Sequence, residues 1–305
     1  MAVYVNTNVS SLHGRRSLNN VQNSLSTTYQ RLSSGLRINS AKDDAAGLQI
    51  ADRLTTQING LNQGNRNTND GIALAQTIES GMDEMSGMLQ KIRTLAVQAA
   101  NGTNTAEDRG ALKKEANALA DEIKRIAQQT KFGGKKVLQG VQADGIYATK
   151  NGQNNIAAGS VGKMTLQVGA NKGDEVSFDV ANFEFSAIVS RADKDTKGWH
   201  KDAGKGVLLS SASTAKAVID LMDKMIADVD KQRSGLGAIQ NRLESSIRNQ
   251  SNVAANQADA RSRIRDADFA EESAALSQQS IIQQAATSML MQANSRPQLA
   301  LSMLG

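Results

Sequence analysis

The strongest constraint on this chain is its single proline, Pro297, among 305 residues. Proline removes a backbone donor and clashes with the preceding helical turn, so a chain almost without it can carry very long helices. Aromatic residues make up only 3% of the sequence, and Ala, Leu, Ile, Val and Met fill the apolar positions. Residues of this kind suit the narrow seam between packed helices.

Apolar positions in residues 5–140 recur at steps of three and four, which predicts amphipathic helices. The first stripe runs through Val5, Val9 and Leu12 and continues, after a phase shift, through Leu18, Val21, Leu25 and Leu32. A second stripe includes Met82, Leu89, Ile92 and Ala99, and a third includes Leu112, Ala116, Leu119 and Ile123. Residues 101–104 between them have the composition of a turn, which predicts an antiparallel helix pair.

Residues 141–209 have a different pattern. The alternating segments MTLQVGA at 164–170 and EVSFDV at 175–180 flank the sequence NKGD. Alternation with a period of two around a Gly-containing loop predicts a β-hairpin. We expect the rest of this insert to be irregular.

Helical periodicity returns near residue 213, and the last stretch, 269–293, carries Ile282, Ala285 and Met289 among Gln, Ser and Ala. The sequence therefore predicts a mainly α fold, a long antiparallel helical bundle or coiled coil formed by the N- and C-terminal halves, with a small insert that contains a β-hairpin. Six methionines have mostly seam spacing, which favours core positions. They are Met82, Met85, Met222, Met225, Met289 and Met291.

The apolar stripes of the two terminal segments are thin. Burying a Leu or Ile is worth about 1.5–3 kcal/mol, whereas ordering the backbone of one residue costs about 1–2 kcal/mol. We therefore expect residues 1–40 and 265–305 to be largely disordered in a free subunit and to fold when neighbouring subunits cover them.

Residues with catalytic or metal-binding chemistry are sparse. The chain has no cysteine and two isolated histidines, His13 and His200. Neither phosphate-binding nor nucleophile-elbow motifs occur. The adjacent carboxylates Asp43 and Asp44 do not face each other on a helix, and we interpret them as residues near a helix start. The sequence predicts no enzyme, no cofactor and no metal site.

The charge pattern indicates a solvated surface. The formal net charge is +5, but Lys and Arg alternate with Asp and Glu along the helices, which argues against nucleic-acid binding. No stretch has the roughly 20 apolar residues of a membrane span, and the N-terminus lacks the pattern of a signal peptide.

Several segments carry a specific resemblance to a known family. The sequence RLSSGLRINSAKDDAAGLQIADRL at 31–54, LQKIRTLAVQAANGTNT at 89–105 and SRIRDADFAEE at 262–272 resemble bacterial flagellins, as do the two termini and QTKFGGKKVL at 129–138. These segments occur in the family's order and spacing. The insert is the part that stays largely unmatched, apart from LQVGAN at 166–171.

The resemblance implies a structural subunit that leaves the cell unfolded through the flagellar type III export apparatus, helped by an export chaperone. It would then polymerise with copies of itself into a helical filament, beneath a cap protein and above hook-junction proteins. By analogy, residues 1–44 and 262–305 form the inner core. Residues 45–140 and 210–261 form a helical shell, and residues 141–209 form at most a rudimentary outer domain.

The resemblance also implies a surface that Toll-like receptor 5 recognises on the shell helices. The matching positions are Leu89, Gln90, Lys91, Arg93, Leu95, Gln98 and Glu115. Lys91 stands where the family usually has arginine, and lysine lacks the planar multi-donor contacts of a guanidinium. Leu89 also lies on the apolar stripe, so a purely structural role for it remains open.

Two other interpretations remain open at this point. A flagellin-like junction protein between hook and filament would share the terminal helices without growing into a long polymer. A binder of nucleic acid or membrane surfaces would use the basic excess and would bind in a salt-dependent way.

Overall fold

The computed structural model describes residues 7–141, 144–147, 161–192 and 206–302, with side chains up to residue 295. Within these ranges the chain forms six helices and two small antiparallel sheets. In chain order the elements are α1 (Val9–Ser34), α2 (Ala45–Ala100), α3 (Ala106–Gln129), β1 (Lys131–Phe132), β2 (Lys135–Lys136), β3 (Gly162–Gln167), β4 (Glu175–Val180), α4 (Phe185–Ala192), α5 (Ala212–Arg265) and α6 (Phe269–Ser302). The predicted mainly α fold with a small hairpin is confirmed.

Local capping sets the ends of α1. The side-chain oxygen of Asn8 accepts a hydrogen bond from the Ser11 N–H at 3.1 Å, which satisfies one donor of the first turn. At the other end Gly35 takes a left-handed conformation with φ 70°, and its N–H donates to the Arg31 carbonyl. Glycine adopts this conformation without a Cβ penalty, so the helix ends here.

The adjacent carboxylates before α2 have different roles. Asp44 Oδ1 accepts the Gly47 N–H at 2.9 Å, so Asp44 caps the start of α2 as predicted. Asp43 does not serve the helix. Its Oδ2 accepts the N–H groups of Asn39 and Ser40 and fixes the turn that precedes α2.

The chain divides into two compact units: Met1–Ile58 with Val253–Gly305, and Asn59–Asn252. We call these unit 1 and unit 2. The boundary between them falls inside α2 and inside α5. Each unit therefore draws on both the N-terminal and the C-terminal half of the chain.

In unit 1, α1 packs along α6. Asn8 at the start of α1 donates to the Ala293 carbonyl near the end of α6 at 2.7 Å. At the opposite end, Arg31 forms an ion pair with Glu272 at 3.0 Å. The two helices are therefore antiparallel.

The ordered pair of terminal helices differs from the disorder expected from the sequence. The interface between α1 and α6 buries few side chains. Thr28 is the one buried side chain among those described in α1, and no described side chain of α6 is buried. Polar contacts add to the few apolar ones. The hydrogen bonds of Asn8 and Ser11 to the end of α6 and the ion pair of Arg31 with Glu272 join the two helices at both ends.

Unit 2 holds the larger apolar core, built by α2, α3 and α5 together with α4 and the β3–β4 hairpin. Four of the predicted core methionines have no exposed surface: Met82, Met85, Met222 and Met225. The prediction is wrong for Met289 and Met291, which lie in unit 1 and are exposed. Helical spacing identified a stripe in α6 but not the side of the helix that faces its partner.

The β3–β4 hairpin pairs Gly162 with Val180 and Gln167 with Glu175. Its strands alternate between exposed and buried positions, as predicted. Strand β3 ends three residues earlier than the sequence pattern indicates, because the N–H groups of Val168 and Gly169 donate to the Asp174 carbonyl and begin the loop. The insert also contains α4, which the sequence analysis missed.

The hairpin lies against α2 where that helix carries glycine. A side chain at Gly64 would collide with the Val168 carbonyl, and one at Gly60 would approach the Ala170 Cβ to 2.7 Å. Asn67 of α2 also donates to the Gln167 carbonyl at 3.0 Å. The missing side chains on α2 therefore allow the hairpin backbone to approach the helix closely.

Candidate functional site

Two surfaces contain the residues that the sequence singles out. The first is the outward side of the α1–α6 pair in unit 1. Val9 and Leu12 are 49% and 55% exposed. Leu18, Val21 and Leu25 are half-buried, on the side of α1 that includes Gly14, next to Leu290 of α6.

Helix geometry explains why the predicted α1 stripe has exposed residues at its start and half-buried residues after Leu12. At about 100° per residue, the phase shift between Leu12 and Leu18 moves the first apolar residues to the opposite side of the helix. Leu32 returns to the half-buried side. Val5 lies outside the described residues.

The predicted α6 residues lie on the outward side of that helix. Ile282, Ala285 and Met289 are all exposed, with Met289 at 69%. The side of α6 that is half-buried instead carries Gln279, Gln283, Ala286 and Leu290. The inward face of α6 therefore mixes amide and apolar side chains, so an apolar stripe in the sequence does not identify it.

The outward face contains two further apolar residues: Ile281, which the sequence analysis missed, and Met291, which it assigned to a core. Ile281 is 65% exposed and Met291 is 68% exposed. Met289 and Met291 lie about 160° apart around the helix axis, so opposite flanks of α6 carry unprotected apolar groups. Large exposed apolar side chains concentrated on one element are typical of an interaction surface.

The second surface lies on α2 and α3 in unit 2. Gln90, Lys91, Gln98 and Glu115 are exposed. Leu89 has no exposed surface and is a core residue of unit 2, so its prediction as a contact residue is not supported by its position.

The remaining two residues of this surface, Arg93 and Leu95, are partly buried. The Arg93 Nε donates to Asp223 Oδ1 of α5 at 2.5 Å, and its Nη2 donates to the other carboxylate oxygen at 3.3 Å. This bidentate bond raises the pKa of Arg93 and joins its guanidinium to Asp223 of α5. Arg93 is therefore a fixed part of the surface.

The turn between α2 and α3 aligns the two helices of this surface. Thr105 and Asp108 form a reciprocal capping box at the start of α3. Arg109 donates to the carbonyls of Ala99 and Asn101 at the end of α2. Carbonyls of a last helical turn have no partner within the helix, so Arg109 satisfies one of them at Ala99. Its second bond, to Asn101 just after α2, joins the turn to α3.

The capping box predicts an acid-dependent loss of stability. The Thr105 hydroxyl, and then its N–H, hold the pKa of Asp108 below its ordinary 3.8. Because the folded state depresses this pKa, the stabilising contribution is complete above 3.8 and is lost as the pH falls through the folded value. We expect Asp108→Asn to reduce the acid-induced shift in the urea midpoint between about pH 5 and pH 2.

A matched control for this prediction is Glu107→Gln, which removes a charge from the same helical turn. We expect a smaller change in the acid-induced shift from this variant. Equal shifts in the two variants would contradict a specific role for the capping box.

Comparison with known proteins establishes the family. The bacterial flagellin N-terminal helical region matches residues 5–143, and the bacterial flagellin C-terminal helical region matches residues 219–304. The chain belongs to the bacterial flagellin family. Flagellin D of Vibrio anguillarum is 36% identical over 377 aligned positions, and flagellin B of Vibrio cholerae serotype O1 is 35% identical over 378; both alignments span the whole of each chain.

A solved flagellar hook-associated protein from Vibrio parahaemolyticus shares the fold alone. Its TM-score is 0.55 at 16% identity, over 73% of this chain and 100% of that one. The full-length flagellin matches assign this chain to the structural subunits of the extracellular flagellar filament. Among the helices that the structure describes, none combines the length and hydropathy of a membrane span.

Proposed function

We propose that the chain polymerises through unit 1, with residues 1–44 and 262–305 forming the inner core of the filament. The exposed apolar face of the α1–α6 pair carries this proposal. Val9, Leu12, Ile281, Met289 and Met291 all face outward in the single chain. Burial of such side chains against further copies would stabilise the polymer by about 25 cal/mol for each Å² removed from water.

Residues 45–140 and 210–261 form the shell in this proposal, and 141–209 form a short outer segment. The apolar core around Met82 and Met222 supports a shell that keeps its shape before and after assembly. The thin α1–α6 interface, by contrast, supports late folding of the ends. Late folding would suit a chain that leaves the cell unfolded through the type III export apparatus with an export chaperone.

The remaining proposed partners are other filament proteins: the cap at the growing end and the hook-junction proteins at the base. They would contact the same terminal helices as the copies do. The role is structural, and we infer that it requires no catalysis, no nucleic acid and no membrane insertion.

Removal of the ends tests the assembly role. We expect a variant that lacks about forty residues from each terminus to be a soluble, mainly helical monomer, since the core of unit 2 stays intact. Sedimentation and negative-stain microscopy after addition of filament seeds provide the measurement. Long filaments from the truncated chain would contradict the proposal.

The junction-protein alternative makes a different prediction for the full chain. Its support is the shared fold with a hook-associated protein. A filament subunit elongates seeds to many times their starting length, whereas a junction protein stops after a short layer. Growth of long filaments from seeds would therefore exclude the alternative.

We also propose that the exposed part of the second surface binds host Toll-like receptor 5. Gln90, Lys91, Gln98 and Glu115 supply accessible polar groups on neighbouring helices. In the filament the same surface would contact an adjacent subunit, so the receptor would bind free subunits.

Lysine at position 91 predicts a weak receptor interaction. An arginine there could form two parallel hydrogen bonds to a carboxylate, which lysine cannot. We expect Lys91→Arg to increase the potency of purified monomer in a receptor-reporter cell line roughly five- to tenfold, about 1–1.4 kcal/mol. Lys42→Arg provides a control at an exposed lysine of unit 1. An unchanged potency for the Lys91 variant would contradict the proposed contact.

A further inference from the structure

The methionines of this chain fall into distinct classes of exposure. Met82, Met85, Met222 and Met225 have no exposed surface, whereas Met289 and Met291 are 69% and 68% exposed. Met88 and Met164 are intermediate. Met1 and Met303 lie outside the described residues.

Exposure decides which thioether a small oxidant can reach. Neither sulfur of the α6 pair is shielded by a core. A peroxide can therefore approach α6 from both flanks.

We infer that Met289 and Met291 form a redox-sensitive modification site that controls whether a free subunit can assemble. The inference rests on the proposed assembly role of unit 1. The reactant is a peroxide such as hydrogen peroxide. Its outer oxygen bonds to the thioether sulfur as the O–O bond breaks, the peroxide is reduced to water, and the thioether is oxidised to a sulfoxide.

The chemical change opposes assembly and leaves the monomer intact. A sulfoxide replaces an apolar sulfur by a strong, polar acceptor. In the monomer that oxygen stays in water at no cost. In a polymer that covers α6, the sulfoxide oxygen of Met289 would be buried beside Ile282 and Ala285, where a polar group without a partner is unfavourable. Met291 lies on the flank that carries Gln284 and Thr287, so Met289 accounts for most of the expected effect on assembly.

Assembly would in turn protect the site. Once copies cover both flanks of α6, a peroxide no longer reaches either sulfur. Oxidation therefore acts on subunits before incorporation and spares those already in the filament. Enzymatic reduction of the sulfoxide reverses the change.

The first test maps oxidation by peptide mass spectrometry on full-length monomer and on filament treated with hydrogen peroxide. In monomer we expect oxidation of Met289 and Met291 at least about tenfold faster than oxidation of Met82, Met85, Met222 and Met225. In filament we expect the two α6 methionines to be protected by a similar factor. Equal rates at exposed and buried methionines, or no protection in filament, would overturn the inference.

The second test measures elongation of unoxidised seeds by untreated, oxidised and repaired monomer. We expect oxidation to slow elongation at least about tenfold. We expect methionine sulfoxide reductases of both stereospecificities to restore it. Far-UV circular dichroism should be the same for all three samples. Elongation by oxidised monomer at the untreated rate would overturn the inference.

A Met289→Leu/Met291→Leu variant assigns the effect to these two residues, since Met1 and Met303 stay in place. The ratio of its elongation rates with and without oxidant should be close to one, and a ratio as low as that of the unmodified sequence would overturn the assignment. Failure of untreated, unsubstituted monomer to elongate seeds would instead contradict the proposed assembly role, on which the inference depends.

Discussion

Replacement of Gly64 by alanine is expected to destabilise unit 2 by about 2–3 kcal/mol, the upper part of the range for overpacked sites. The added Cβ would meet the backbone carbonyl of Val168, which is fixed in the hairpin loop and cannot rotate away. To relieve the contact, the hairpin must move off α2. That movement would also lengthen the hydrogen bond from Asn67 to the Gln167 carbonyl. Urea unfolding followed by far-UV circular dichroism measures the loss.

A control in the same helix, Gly87→Ala, is expected to change the free energy of unfolding in the opposite direction. At Gly87 an added Cβ has no atom within 4 Å, and the position lies inside α2. Alanine costs about 0.5–1 kcal/mol less than glycine in a helix interior, so we expect Gly87→Ala to stabilise the chain by that amount. Two variants with the same chemical change would thus differ by about 3 kcal/mol. Equal stabilities for the two would contradict the close approach at Gly64.

The sequence predicted the helices and the hairpin because both have strong local periodicity. Met82, Leu89 and Ile92 repeat with the helical period, and EVSFDV repeats with the period of a strand. Burial in unit 2 follows these patterns almost residue by residue. Local patterns were sufficient there because one face of each element packs against a shared core.

Unit 1 was harder to predict because the contacts between α1 and α6 mix polar and apolar side chains. The side of α6 that packs within the chain carries Gln279 and Gln283, while Ile281 and Met289 point to solvent. A rule that places apolar residues in the interior of the subunit therefore selects the wrong face of α6. The rule would hold for the proposed polymer, in which neighbouring copies would cover Ile281 and Met289.

The contact between the β3–β4 hairpin and α2 could not be predicted either. Gly60 and Gly64 lie four residues apart within a long helix, a spacing that puts them on one face. That spacing indicates a close approach by some other element but does not identify it. The partner, Val168 to Ala170, is more than one hundred residues away in sequence.

Replacement of Ile281 by glutamate is expected to prevent filament growth at concentrations at which the unsubstituted chain assembles, while the monomer stays folded. Ile281 is 65% exposed, and surface substitutions usually change the free energy of unfolding by no more than about 0.5 kcal/mol. In the proposed polymer every copy would bury this charge against an apolar neighbour. A penalty of about 3 kcal/mol per subunit would raise the critical concentration roughly 100-fold. Sedimentation of seeded mixtures over a range of monomer concentrations measures that value.

Val161→Glu separates the effect of the surface from that of the added charge. Val161 is 51% exposed just before β3 in the insert, which the proposal places outside the filament core. We expect its critical concentration to stay within about twofold of the unsubstituted value, since the glutamate remains in water. If both variants lose assembly equally, added negative charge alone is the cause. If neither does, the outward face of α6 is not a subunit contact. A loss confined to the Ile281 variant places the contact on the face that is apolar but unpaired in the single chain.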